Sequence, residues 1–213
     1  MEFDVPRHIG AVTREVRGGE RDGKSTRIVV AGRSFATDID DAWDALTSAE
    51  RIPRWFSPVE GDLKLGGRYQ IKGNAGGTIT DCEPPRRLAL TWEFGGGVSW
   101  VAVTLTEEKG GATQLELKHT AIIDAEFEKF WGQFGPGAVG VGWDLSLLGF
   151  AEHLESGWDK PPETDTEWVA SENYKDFVAG SSGGWRDAAI AGGEDAQVAR
   201  GAAERTITAY SAG

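Results

Sequence analysis

The sequence is poor in residues that build covalent or metal-based frameworks. It contains a single cysteine, Cys82, which excludes an intramolecular disulfide and a cysteine-based metal site. Its three histidines, His8, His119 and His153, are widely spaced, so we expect no transition-metal site. A lone thiol is typical of a reducing compartment, and we therefore expect a cytoplasmic protein.

Basic residues and long apolar runs are also scarce. Lys and Arg number 22 against 34 Asp and Glu, which gives a formal net charge of −12. Such a surplus of acid argues against a nucleic-acid partner, because phosphates are bound by Lys and Arg. The least charged stretch, residues 135–151, contains Asp144 and is shorter than the roughly 20 apolar residues of a membrane span. The N-terminus MEFDVPRHIG lacks the apolar core of a signal peptide, so we expect neither secretion nor a membrane partner.

Glycine is abundant instead, with 30 residues that recur in turns between segments of alternating hydrophobicity. Clear alternation runs through residues 68–72, 88–94, 99–106 and 113–121. This pattern predicts an antiparallel meander with one buried face and with glycines in its hairpins. The residues predicted on that face are Tyr69, Ile71, Trp92, Phe94, Val101, Val103, Leu117 and His119.

Helical patterns flank the strands. Residues 37–56 are amphipathic, with Asp38 or Asp40 as the N-cap and with Trp55 in a second short turn. A longer helix is predicted at 141–155. Its predicted main apolar face consists of Trp143, Leu147, Phe150, Ala151 and Leu154.

The helix at 141–155 also carries Leu145 and Leu148 on its other side, which predicts a second cover. A polar linker at 159–167 leads to three predicted short helices separated by GSSGG and GGED. This extension could supply the cover, or a second copy of the chain could do so in a homodimer. Trp100, which alternates away from the inner face, would be covered in the same way.

The hexapeptide GPGAVG at 135–140 matches the glycine pattern of a dinucleotide-binding loop. A Rossmann loop requires a buried strand before its first glycine, and EFEKFWGQF shows no strand alternation. We therefore expect no nucleotide cofactor and interpret the glycines as the close-packed start of a helix that begins near Val141. Asp144 would then lie in the first turn, where the helix dipole explains a carboxylate.

His119 is the titratable residue of most interest, because alternation places it on the apolar face. A buried imidazole that is bonded to a neighbouring hydroxyl or carbonyl explains it without a ligand. Contact with a ligand, or an acid–base role, is the alternative. His8 is expected in a mobile terminus and His153 at the rim of the long helix.

Five strings, taken in order, resemble one family: DDAWDALTSAERIPRWF, GGRYQI, CEPPRRLALTWEF, VTLTEEKGGATQLELKHT and GWDLSLLGFAEHL. They resemble the SRPBCC proteins, which share the START and Bet v 1 fold, and within them the branch named after the activator of heat shock protein 90 ATPase. The resemblance covers residues 25–155. It implies an α+β helix-grip fold, a curved antiparallel sheet wrapped around a long C-terminal helix, with an apolar cavity between them.

The resemblance divides the chain into an N-terminal strand and turn at 1–24, a helix-grip domain at 25–157 and a helical C-terminal extension at 158–213. It leaves the function open, because one fold serves many activities. We expect an apolar cavity that binds a small hydrophobic molecule, with His119 and Tyr69 orienting it and without a cofactor. The alternatives are a cyclase- or hydrolase-type enzyme with His119 as acid–base, and a chaperone-associated protein. The predicted ligand-binding residues are Trp55, Tyr69, Ile71, Trp92, Phe94, Val101, Val103, Leu117, His119, Trp143, Leu147 and Phe150.

Overall fold

The computed structural model describes residues 4–161 and 166–211, so residues 162–165 of the predicted linker lie outside the described residues. Within these ranges the chain forms eight helices and eight strands. In chain order they are α1 (Val5–Gly10), β1 (Thr13–Arg21), β2 (Lys24–Phe35), α2 (Ile39–Thr47), α3 (Ile52–Trp55), β3 (Val59–Gly61), β4 (Arg68–Ile71), β5 (Gly76–Glu83), β6 (Arg87–Phe94), β7 (Gly97–Glu107), β8 (Thr113–Ile122), α4 (Ala125–Phe134), α5 (Gly137–Ser156), α6 (Glu167–Ala170), α7 (Glu172–Ala191) and α8 (Ala196–Ser211).

All eight strands join in one sheet, in the order β1-β2-β8-β7-β6-β5-β4-β3. Strands β3 to β7 each pair antiparallel with the next strand along the chain. The meander predicted from alternation is therefore confirmed. Between β6 and β7 the two turn residues, Gly95 and Gly96, have φ angles of 60° and 85°, and glycine adopts such angles without steric cost.

Backbone contacts divide the chain into two compact units. The central unit consists of residues 32–121 and 146–160, and the terminal unit consists of the described residues of 1–31, 122–145 and 161–213. Strand β2 and helix α5 each pass from one unit into the other. The domain boundaries predicted at 24/25 and 157/158 stay a prediction.

Helix α5 begins four residues earlier than the sequence predicted. It starts at Gly137, so most of GPGAVG lies inside the helix, and the predicted start near Val141 was wrong. Asp144 consequently lies in the third turn and not in the first, where the helix dipole could explain it. The glycines are tolerated because the terminal unit packs tightly there: a Cβ on Gly140 would lie 2.2 Å from the ring of Trp185.

The extension forms longer helices than predicted. GSSGG (180–184) was expected to separate two helices, but it lies within α7. Ser181 and Ser182 are fully buried there and donate hydrogen bonds to the Asp144 carboxylate and the Ala203 carbonyl. These tertiary bonds outweigh the preference of serine and glycine for turns.

Two further features of the described residues bear on function. His8 lies in α1 and is 2% exposed, so its predicted place in a mobile terminus was wrong. No helix in the described ranges is long and apolar enough to cross a membrane.

Candidate ligand-binding site

Strands β6, β7 and β8 place the predicted site residues side by side in the central unit. In the sheet register, Val101 of β7 lies between Leu90 of β6 and His119 of β8. One rung further along, Val103 lies between Leu88 and Leu117. Directly opposed residues project to the same side of an antiparallel sheet. We call this side the apolar face: Leu88, Leu90, Trp92, Val101, Val103, Leu117 and His119.

Exposure across the apolar face is uneven. Val101, Val103 and Leu117 are 4%, 6% and 6% exposed. Leu88, Leu90 and Trp92 of β6, which we call the apolar strip, are only half-buried. Because β6 lies between β5 and β7 inside the sheet, its exposure does not come from a free sheet edge.

The apolar strip packs against a small buried core formed by β4 and β5. Tyr69, Ile71 and Ile79 are 5–6% exposed. Seven partly buried apolar residues pack against this core: Phe56, Val59, Leu63, Cys82, Leu88, Leu90 and Trp92. The strip therefore packs against buried apolar residues, while part of its own side-chain surface stays accessible to solvent.

His119 supplies a polar group at one end of the strip. Its Nε2 lies 2.7 Å from Ser99 Oγ, and the Ser99 hydroxyl is also 3.2 Å from the Trp92 carbonyl oxygen, to which it can donate. The rings of Trp92 and His119 lie 6.0 Å apart at 59°. Burial lowers the pKa of the His119 imidazole to about 4, so it is neutral at physiological pH.

Ser99 was missed at the sequence level, although the same alternation that selected Val101 and Val103 points to it. A serine near a hairpin carries no signal of its own, and its role depends on the register that brings it beside His119. The observed bond matches the simpler interpretation of His119, an imidazole paired with a neighbouring hydroxyl.

Tyr69 uses its hydroxyl within the fold. The hydroxyl donates a 2.7 Å hydrogen bond to the Thr91 carbonyl oxygen on β6, two strands away. Gly77, its partner on β5, leaves room, since a Cβ there would lie 2.0 Å from the same oxygen. Burial raises the pKa of Tyr69, so the phenol stays protonated.

Within the central unit, aromatic side chains of α3, α5 and β2 pack against one another. Phe150 of α5 packs edge-on against Trp55 and Phe35, with ring centroids 4.7 and 5.0 Å apart. Trp55 is fixed in turn by a 2.9 Å hydrogen bond from its Nε1 to the Ala45 carbonyl oxygen. The lack of a side chain at Gly149 permits this contact, because a Cβ there would lie 2.4 Å from the Trp55 carbonyl oxygen.

Two predicted site residues lie apart from these groups. Phe94 is 61% exposed at the β6–β7 hairpin, where the strand leaves the sheet interior. Trp143 is half-buried on the part of α5 that belongs to the terminal unit. Leu147, 4% exposed, belongs to the central unit together with Phe150.

Both ring nitrogens of His153 are within hydrogen-bond distance of groups in the fold. Arg51 Nε lies 3.3 Å from its Nε2, and its Nδ1 lies 3.2 Å from the Trp158 carbonyl oxygen. Arg51 also binds the carboxylates of Asp41 and Asp44. His153 is 7% exposed and joins the chain after α5 to the segment after α2.

The terminal unit contains a separate buried polar centre at Asp144. Its Oδ2 accepts from Arg14 Nε at 2.8 Å, Ser181 Oγ at 2.5 Å and Trp185 Nε1 at 3.2 Å. Its Oδ1 has no hydrogen-bond partner among the described residues. Burial raises the pKa of Asp144, and the same three residues act in the opposite direction. The partners come from β1 and α7, 130 and about 40 positions away in the chain.

No three His, Cys, Asp or Glu side chains in the described ranges stand close enough together to hold a metal ion. Cys82, half-buried at the edge of the β4–β5 core, is a free thiol.

Comparison with known proteins gives one family and several solved structures. The family model described as "Activator of Hsp90 ATPase homolog 1-like protein" matches residues 36–155. The solution structure of CalU16 from Micromonospora echinospora is 30% identical, covers 85% of this chain and 97% of CalU16, and has a TM-score of 0.69. The crystal structure of CalU16 is 32% identical, covers 69% of this chain and 88% of that one, and has a TM-score of 0.59.

A more distant structure, MLL2253 from Mesorhizobium loti, is 22% identical and covers 61% of this chain and 97% of its own. Its TM-score of 0.52 shows a likeness of fold alone. None of the curated proteins compared with the chain matches it. Together with the sheet topology, these likenesses confirm the predicted α+β helix-grip class.

Proposed function

Because the chain belongs to the family of Activator of Hsp90 ATPase homolog 1-like proteins, as its sequence suggested, we propose that its central unit binds a small, predominantly apolar molecule at the apolar strip. The observation that carries the proposal is the partial exposure of Leu88, Leu90 and Trp92 on a strand inside the sheet. A ligand on the strip would remove this surface from water.

The physical argument compares β6 with its neighbours. Ile79 and Val101, which flank Leu90 in the register, are 6% and 4% exposed. Three large half-buried side chains beside fully buried ones fit the floor of a ligand-binding cavity. Covering apolar surface contributes about 25 cal/mol per Å², so a ring-sized molecule gains several kcal/mol from burial alone.

Orientation would come from the polar end of the strip. Ser99 and the neutral His119 offer hydrogen-bonding groups beside the Trp92 ring. Tyr69, whose hydroxyl donates to Thr91, would support the floor through its ring. The other predicted ligand-binding residues of the central unit stay proposed lining residues.

The test is a titration with N-phenyl-1-naphthylamine, an uncharged dye that fluoresces in apolar surroundings. The wild-type chain should bind it saturably, and Leu90→Trp should weaken binding at least tenfold by filling the space over the strip. Val198→Trp is the matched control, because Val198 is 48% exposed on α8, and its binding should equal that of the wild type. Equal thermal midpoints would show that both variants are folded.

Failure of the wild-type chain to bind the dye and a panel of other neutral aromatic molecules would overturn the proposal. So would equal losses in Leu90→Trp and Val198→Trp, because the dye would then be reporting general hydrophobic surface.

A cyclase- or hydrolase-type activity at the same face is less well supported. A general base works best when its pKa lies near the working pH, whereas burial holds the pKa of His119 at about 4. If a reaction does take place there, His119→Ala should abolish turnover in a folded protein.

A chaperone-associated role is the second candidate, favoured by the description of the matched family. Its test is the ATPase rate of a purified bacterial homologue of heat shock protein 90 with and without the chain. A rate that does not change at saturating chain concentration would remove this candidate.

A further inference from the structure

Helix α4 of the terminal unit carries an aromatic face that is only partly covered. Phe127, Phe130, Trp131 and Phe134 follow the i, i+3, i+4, i+7 spacing of one helical face. Phe130 is 41% exposed, and the other three are half-buried. The rings of Phe127 and Trp131 stack with centroids 5.4 Å apart, and Phe130 packs on Phe134 at 5.5 Å. Large aromatic surfaces of α4 therefore stay within reach of solvent.

Strand β2 places a cation over one ring of this face. The guanidinium carbon of Arg27 lies 5.1 Å from the centroid of the Trp131 ring, within the range at which an aromatic ring attracts a cation. Trp131 is held in turn by Glu194, whose Oε2 accepts a 3.1 Å hydrogen bond from the indole Nε1. Arg27 thus packs on a ring whose orientation is fixed by the segment between α7 and α8.

Arg27 differs from the other buried or half-buried arginines. Arg14, Arg33, Arg51 and Arg186 each have a nitrogen 2.7–3.8 Å from a carboxylate oxygen. Among the residues that the structure describes, Arg27 has no carboxylate at such a distance, and its buried Nε has no hydrogen-bond partner. Its positive charge is therefore balanced by the Trp131 ring alone at short range.

This surrounding determines what kind of group Arg27 can bind. Burial removes part of the hydration of the guanidinium, while its N–H donors still require acceptors. The Trp131 ring covers a face of the guanidinium plane, whereas hydrogen bonds form along the edge of that plane. A carboxylate fits this edge because its two oxygens match two neighbouring N–H groups. The partly exposed rings of α4 favour an apolar body on the same molecule, since it would remove their surface from water.

We infer that the terminal unit binds a small aromatic carboxylate: the carboxylate pairs with Arg27, and the ring lies on the partly exposed aromatic face of α4. This α4 site consists of Arg27, Phe127, Phe130 and Trp131. It goes beyond the function proposed above, because the apolar strip belongs to the central unit. It also differs in chemistry, since the strip takes up apolar surface whereas the α4 site requires a negative charge on its ligand.

The test is a calorimetric titration with 2-naphthoate at pH 7.5. The wild-type chain should bind it saturably, and Arg27→Gln should weaken binding roughly tenfold or more through loss of the charge-assisted pair. Arg186→Gln is the matched control, because it removes the same charge from an arginine of α7 that pairs with Asp187. Its affinity should equal that of the wild type. Absence of saturable binding to the wild type, or equal losses in the two variants, would overturn the inference.

The neutral isostere 2-naphthamide separates the charge from the ring. The wild-type chain should bind 2-naphthoate more tightly than 2-naphthamide, and this difference should disappear in Arg27→Gln. A difference that survives in Arg27→Gln would show that another group binds the carboxylate and would contradict the assignment to Arg27.

An NMR titration of the tryptophan indole N–H groups locates the ligand in the wild-type chain, independently of how well Arg27→Gln folds. We expect 2-naphthoate to shift the Trp131 signal saturably, with Trp131→Phe identifying that signal. Saturable shifts confined to Trp55 and Trp92 would place the ligand in the central unit and overturn the inference.

The two proposals can fail separately. A chain that binds 2-naphthoate through Arg27 but does not bind N-phenyl-1-naphthylamine would overturn the proposed function and support the α4 site. A chain that binds the dye at the apolar strip, but 2-naphthoate equally well with and without Arg27, would support the proposed function and overturn the α4 site.

Discussion

Two buried titratable side chains show different ways to hold a polar group away from water. His119 is neutral and has the uncharged Ser99 as its partner. Asp144 has its acceptor Oδ2 surrounded by Arg14, Ser181 and Trp185, and its side chain is 0% exposed. The first arrangement pairs a buried imidazole with a hydroxyl, whereas the second joins β1, α5 and α7 within the terminal unit.

Burial of neutral His119 predicts a loss of stability in mild acid. The unfolded chain takes up a proton near pH 6.5, whereas the folded chain does so only near pH 4. Stability contributed by this site should therefore fall as the pH drops from about 6.5 to about 4, by up to about 3 kcal/mol. Urea denaturation across this range measures the slope, and His119→Gln should flatten it. An equal slope in the variant would assign it to other groups.

Loss of the Asp144 carboxylate should strongly destabilise the chain. Asp144→Ala leaves the guanidinium of Arg14, 8% exposed, buried without its counter-charge, which typically costs about 3–5 kcal/mol. Denaturant unfolding measures the change. Asp187→Ala, on the exposed side of α7, is the control and should leave the midpoint unchanged. Similar midpoints for the two variants would contradict the role of Asp144.

At the scale of elements, α5 depends on residues without side chains. Gly137 and Gly140 lie in its first turns, against Thr206 of α8 and Trp185 of α7. Glycine normally weakens a helix, but at these positions its small size allows the terminal unit to pack closely. Tyr210 of α8 adds a 2.7 Å hydrogen bond to the Ala138 carbonyl oxygen.

Two glycine-to-alanine substitutions in helices should therefore have opposite effects. Gly140→Ala would place a methyl group 2.2 Å from the fully buried Trp185 ring and should lower the thermal midpoint. In Gly132→Ala in α4, the added methyl group meets no atom of residues 4–161 or 166–211 within 4 Å, so the variant should raise stability by up to about 1 kcal/mol. If Gly140→Ala also raised the midpoint, the close contact with Trp185 would be refuted.

The strands could be predicted from the sequence because alternation is a local property with a period of two. It identified the strands of the meander and put His119 and Val101 on the same face, whereas their direct pairing is set by the register seen in the structure. Helix α7 was predicted in pieces, because GSSGG signals a turn locally while Ser181 is held by Asp144 from a distant part of the chain. The start of α5 was predicted wrongly for the same reason. Close packing against α7 favours glycines at positions where they would weaken an isolated helix.

At the scale of the whole molecule, the C-terminal extension has a definite structural role within the terminal unit. Trp185 of α7 and Thr206 of α8 contact the first turns of α5, so this part of the long helix is covered by its own chain. Packing of a second copy of the chain in a homodimer is therefore not needed to bury residues 137–145 of α5. The match to CalU16 spans 85% of the chain and thus reaches beyond residues 36–155 of the family match.

The central claim is the proposal that a small, predominantly apolar molecule binds on the apolar strip of the central unit. Its most direct test is a methyl NMR titration with N-phenyl-1-naphthylamine, in which leucine and valine methyl groups are labelled. We predict saturable shifts at Leu88, Leu90, Val101 and Val103, with no shift at the exposed Leu65 and Val198. Shifts confined to Leu65 and Val198, or no saturable shift at any methyl group, would contradict the account.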